Sequence, residues 1–199
     1  MPDVVQFELY LLSQMRANDK VRAALAALGV DAAVMHDTAE HVGLDVGLTR
    51  VGHGIDLYPR ILGQPLEITT EPEIDSNSGF ADSQRLRFHL PVWNSFDFIV
   101  RAHREGWAWG PEFVRRHGEQ PPSMTGIREM EPWTLLESEV WDRLGPFKAE
   151  YPFNFSNEVV YRLDAPPQPS EDVSLLFDFK LFQGIEVRTP SVGATSLSL

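Results

Sequence analysis

The chain has 199 residues, 43% hydrophobic and 23% charged, with 29 acidic against 17 basic side chains and a net charge of −12. A field of that sign opposes contact with nucleic acid or an anionic membrane, which depends on Lys and Arg displacing counterions, and it suits a basic partner. Cysteine is absent, which excludes disulfides, thiolate metal sites and cysteine nucleophiles.

No apolar run approaches the roughly 20 residues of a membrane-spanning helix. The opening "MPDVVQFELY" carries acids where an export signal carries basic residues, so the expected location is cytoplasmic.

In chain order, Asp3 is placed to cap a first helix whose apolar row runs through Val4, Phe7, Leu11 and Met15. "KVRAALAALG" predicts a second helix closed by Gly29. "VMHDTAEHVG" follows, with two histidines and two acids in ten residues. Asp37 and Glu40 have capping-box spacing, so the stretch reads as a helix start. His36 and His41 stand five apart, about 140° around a continuous helix, and lack the i, i+4 relation of a zinc-binding pair. With a third ligand such as His53 they are the chain's candidate metal set.

From Gly43 to Leu90, glycines punctuate short runs such as "GIDLYPRIL" and "LEITTEPEI", which read as strands and turns. "QRLRFHLPVW" alternates, with Leu86, Phe88 and Leu90 on one face and Arg85, Arg87 and His89 on the other. Asn94 and Asp97 suggest an N-cap for a helix ending at Gly106, and "GPEFVRRHG" a short helix opened by Pro111. A proline-rich loop leads to a helix with Thr134 and Glu137 as its capping box and Gly145–Pro146 as its stop. "NEVVYRLD" and "DVSLLFDFKLF" each predict one strand.

The expected architecture is α+β. It has an N-terminal helical hairpin, a mostly antiparallel sheet from residues 44–92 and 157–189, and a Trp-rich helical insertion between them. Residues 1–189 form one domain, and 190–199 are a flexible tail or docking arm.

The segment "RAHREGWAWGPEFVRRHG" stands out in so acidic a chain. Arg101, Arg104, Arg115 and Arg116 surround Trp107 and Trp109, and all five tryptophans lie between positions 93 and 141. Trp and Arg are enriched in binding hot spots, so these six residues are the candidate binding surface. The competing expectation is that the tryptophans fill the core while the arginines pair with local acids.

No Gly-rich phosphate loop, nucleophile elbow or complete metal motif is present. No catalytic residue is assigned and no cofactor is implied. The sequence therefore points to a non-enzymatic protein–protein interaction protein: an acidic neutraliser, an adaptor, or a subunit that binds a basic protein or copies of itself. The alternatives are a small-molecule binding module, or a small metal-dependent enzyme using His36, His41 and His53.

Overall fold

The computed structural model describes residues 2–46, 54–72, 82–103, 108–153, 156–163 and 170–188. Helix α1 (Val4–Ser13) opens as its sequence predicts. The Asp3 carboxylate accepts the Gln6 backbone N–H at 2.9 Å, and the Gln6 side chain accepts the Asp3 N–H at 3.0 Å. Helix α2 (Asn18–Leu28) ends on Gly29 at φ 69°, a left-handed conformation that costs glycine least. Helix α3 (Ala32–Val46) packs so closely on α1 that a Cβ on Gly43 would stand 3.3 Å from Tyr10 Cε2.

Two four-stranded antiparallel sheets follow, each a simple meander. The first holds β1 (Glu67–Pro72), β2 (Asp82–His89), β3 (Phe96–His103) and β4 (Ala108–Arg115) in that order. The second holds β5 (Ala149–Phe153), β6 (Ser156–Leu163), β7 (Glu171–Asp178) and β8 (Leu181–Arg188). The short helix α4 (Leu57–Leu62) precedes β1, and α5 (Glu137–Leu144) precedes β5.

Each sheet packs one face into a hydrophobic core. Leu86, Phe88, Phe98, Val100 and Phe113 of the first sheet meet Phe7 and Leu11 of α1, Met35 of α3 and Tyr58 of α4. Phe7 is the hub of this packing, with its ring edge-on to Phe98 at 5.6 Å and to Tyr58 at 6.2 Å. Val159, Tyr161, Val173, Leu175 and Phe177 of the second sheet pack with Phe182 against Val140 of α5 and Leu135.

The α+β class and the N-terminal helices match the sequence reading, but several local expectations do not. The single sheet expected from 44–92 and 157–189 is two sheets spanning 67–115 and 149–188. Among the described residues of 96–115 the helical insertion is absent, since 96–103 and 108–115 are the antiparallel strands β3 and β4. "FDFIVR" has period 2, with Phe96, Phe98 and Val100 facing the helices, and aromatic and β-branched residues favour that pleated surface. Asp97 caps nothing, because it is buried inside β3. Pro111 is tolerated in β4 because β4 is a sheet-edge strand.

"LYPRIL" is helix α4 rather than a strand. "DVSLLFDFKLF" is no single strand either, since it reverses at Phe179–Lys180. "HDTAEH" lies inside α3, whose first turn is capped from Asp31 (Val34 N–H to Asp31 Oδ1, 2.9 Å). In α5 the capping carboxylate belongs to Glu139, which accepts the Leu136 N–H at 2.8 Å, while the Thr134 hydroxyl donates to Glu131 O. Residues 190–199 lie outside the described residues.

Candidate binding cavity at the seam between the sheets

The turn between β7 and β8 joins the two halves. Phe179 and Lys180 both have positive φ, 50° and 63°, without the Asn or Gly that usually relieves such a turn. What holds them there is bonding from both sides. Phe113 N–H on the outer edge of β4 donates to Phe179 O at 2.9 Å, and Glu137 N–H at the start of α5 donates to Lys180 O at 2.9 Å. The Phe179 ring drops into the first core, 6.4 Å from Phe98. Next to the turn, Asp178 is buried and receives the Arg16 backbone N–H, the Arg16 guanidinium and the Ser156 hydroxyl.

This arrangement aims Lys180 at the seam. Its Nζ lies 2.7 Å from Glu112 Oε2, and Arg101 of β3 pairs with Glu112 Oε1. Gly110 adopts φ 56° beside Arg101, whose guanidinium reaches toward its carbonyl. Glu137, the first residue of α5, accepts from the Asn157 side-chain amide, whose NH2 also donates to Glu150 Oε1 at 2.7 Å. Asn157 Oδ1 is buried without a partner.

Arg101, Gly110, Glu112, Glu137, Asn157 and Lys180 line a cavity of about 260 Å³ walled by Pro111, Pro152 and Phe179. A second hollow, lined by Arg16, Tyr151, Phe153 and Glu158, adjoins it through Pro152, Ser156 and Asn157.

The two buried carboxylates of the cavity are tuned in opposite directions. Burial alone would raise Glu112, but hydrogen bonds and charge from Arg101 and Lys180 outweigh it and hold the carboxyl below the ordinary glutamate value. Burial raises Glu137, and the nearby Glu150 and Glu112 push the same way, against the Asn157 bond and the more distant Lys180 charge. One carboxylate has two cations, and the other has an amide.

The structure places the sequence-predicted surface residues as follows. Arg101 lines the cavity through its pair with Glu112. Arg115 pairs with Glu139, donates to Thr134 O at 2.8 Å and stacks on Phe96 at 4.5 Å. Arg116 meets Asp97 at 3.3 Å and contacts His89. Arg104, Trp107 and the side chain of Trp109 lie outside the described residues.

Trp93 is buried in the first core, stacked near Phe113 and Trp133, and Trp141 packs with Phe147 at the second. His36 and His41 are exposed on α3, and His53 is outside the described residues. Among the described residues no cluster of three metal-ligating side chains occurs.

Sequence reasoning gave Glu137 only a capping role and assigned none to Glu112, Asn157 or Lys180. The sequence carries no local signal for them, because they meet only through pairings between distant parts of the chain. No protein-family model, curated protein or solved structure matches this chain. Among the described residues no helix is long and apolar enough to cross a membrane.

Proposed function

We propose that this chain works by binding, not catalysis, and that its partner is a protein with a basic surface. The observation that carries this reading is the pairing of exposed aromatics with acidic charge on one edge strand. Tyr151 and Phe153 of β5 are 50% and 73% exposed, Glu150 of the same strand accepts from Asn157 at the seam, and the chain's net charge is −12. Large exposed aromatics at a sheet edge with an open backbone ladder suit docking of another chain. The charge adds steering toward a basic surface.

Arg101, Arg115 and Arg116 also support the reading. Each is matched by an acid of the same molecule, so the excess acidic charge stays available to a partner. The β3–β4 segment that carries Arg101 and Gly110 lines the same cavity as Pro152 and Ser156 of the β5–β6 hairpin. The contact surface proposed here therefore extends from β5 toward Arg101, Gly110 and Pro111.

The test is native mass spectrometry of the untagged protein from its own source, beside a Tyr151→Ala/Phe153→Ala variant. The expected result is a stoichiometric complex with a basic protein, lost at high salt and absent with the variant. A complex that survives both changes contradicts the reading, as does a bare monomer.

A second reading has one observation in its favour. Two carboxylates with opposite shifts in one cavity are what acid–base chemistry needs. In that case Glu112 would have to give up Arg101 or Lys180 to reach a substrate, and Glu112→Gln would abolish a turnover that the binding reading does not require.

A further inference from the structure

We propose that the seam cavity is a receptor for a single guanidinium side chain, an arginine presented by the partner. The inference rests on the basic-partner reading and names the site where that partner is gripped.

The cavity's facing cations are Arg101 and Lys180, and both are committed to Glu112. Glu137 is 6% exposed, and its one hydrogen bond from a side chain comes from the neutral Asn157 amide. That same NH2 group reaches Glu150, so one amide serves two acids. Glu112 thus takes both cations of the cavity, while Glu137 and the exposed Glu150 beside it share one neutral amide and have no cation in contact.

A buried carboxylate without a cation is costly, and an incoming cation that reaches it gains what water cannot supply. An anionic ligand would meet Glu137 and Glu150 as like charges. The shortfall therefore selects the sign of the ligand.

Shape narrows the class. The cavity's apolar walls, Pro111, Pro152 and Phe179, suit a methylene stem, and Glu112 and Glu137 line the same cavity. Glu137 stands at the first position of α5, with its own N–H bonded to Lys180 O, which holds its backbone at the cavity wall, and the residue is buried. Asn157 already holds Glu137 and Glu150 from a single planar NH2 group, which puts the two acids within reach of one planar fork. A guanidinium offers that fork, whereas an ammonium is a point donor.

The test uses the full chain and two small probes, Nα-acetyl-arginine methylamide and its uncharged isostere Nα-acetyl-citrulline methylamide, followed by NMR and calorimetric titration. The arginine probe is expected to bind saturably and to perturb Glu137 and Asn157, with the citrulline probe at least about tenfold weaker, the scale of a lost charge-assisted bond. Glu137→Gln is expected to lose at least about tenfold in affinity on the same basis, and the exposed Glu150→Gln to weaken binding less while leaving the fold intact.

Equal binding of the two probes overturns the inference, as does no binding of the arginine probe or undiminished binding to Glu137→Gln. A basic partner whose complex resists Glu137→Gln but is lost on Phe153→Ala removes this inference and leaves the basic-partner reading standing. A specific arginine probe without any partner complex does the reverse.

Discussion

Asp97 on the outer face of the first sheet and Glu137 at the seam are both nearly fully buried carboxylates, at 2% and 6% exposure. Their surroundings differ completely. Asp97 receives Arg87 Nε at 2.8 Å and Arg116 Nε at 3.3 Å, with His89 at 3.8 Å. The ring of His89 is held below the ordinary histidine value, by burial first and by Arg116 second, against the pull of Asp97. Glu137 has the Asn157 amide and no such cage. A saturated ion cluster anchors strands, whereas an unsaturated one beside an open cavity has capacity left for a ligand. Burial alone does not separate the two roles. The count of opposite charges in contact does.

The largest test of that difference is Asp97→Ala. It strands two guanidinium groups against a sheet and should cost about 3 kcal/mol in denaturant unfolding, at the low end for breaking a buried pair because both arginines keep some exposure. A loss under about 1 kcal/mol would place Asp97 among ordinary surface pairs.

Gly110→Ala is next. Its added Cβ would meet Arg101 Nη1 at an ordinary 3.6 Å, so the expense is the left-handed backbone alone, about 1–2 kcal/mol, with arginine-probe binding kept.

Glu137→Gln should change stability by less than about 1 kcal/mol near neutral pH, because no cation is orphaned. Its signature is the pH dependence. A carboxyl raised on folding contributes stability that is fully present below its unfolded value near 4.5 and is lost as pH climbs through the folded value. The stability of the parent relative to Glu137→Gln should therefore fall as pH rises out of that window. The difference between the two proteins is the quantity to plot, because Glu8 of α1, raised by burial, slopes the same way in both. Glu112 runs opposite: its contribution is present above its unfolded value and is lost as pH falls through the depressed one. The smallest expected effect is that of Phe153→Ala, within about 0.5 kcal/mol of the parent by thermal unfolding, since the ring is exposed.

Local signals in the sequence carried the elements whose determinants are local. The Asp3 cap, the Gly29 stop and the alternation of Leu86, Phe88 and Leu90 each act within a few residues. Where two local signals competed, the weaker won the reading. Asn94 and Asp97 have cap spacing, yet the period-2 run Phe96, Phe98, Val100 decides the structure by burying three side chains on the helical layer. The Phe179–Lys180 reversal has no turn residue to announce it, because tertiary bonds from Phe113 and Glu137 hold its strained backbone.

The cavity was illegible for the same reason. Arg101, Glu112, Glu137, Asn157 and Lys180 come from four elements and the turn joining two strands, and only the docking of β4 and α5 on that turn brings them together.

The most direct test of the account is a pH titration of the Glu137 side-chain carboxyl by carbon-13 NMR, in the free protein and with saturating Nα-acetyl-arginine methylamide. The account predicts titration above the ordinary glutamate value in the free protein and a downward move when the guanidinium arrives. Titration at or below the ordinary value in the free protein, unmoved by the probe, would mean that Glu137 already has its counterion and that the seam is as saturated as the cage around Asp97.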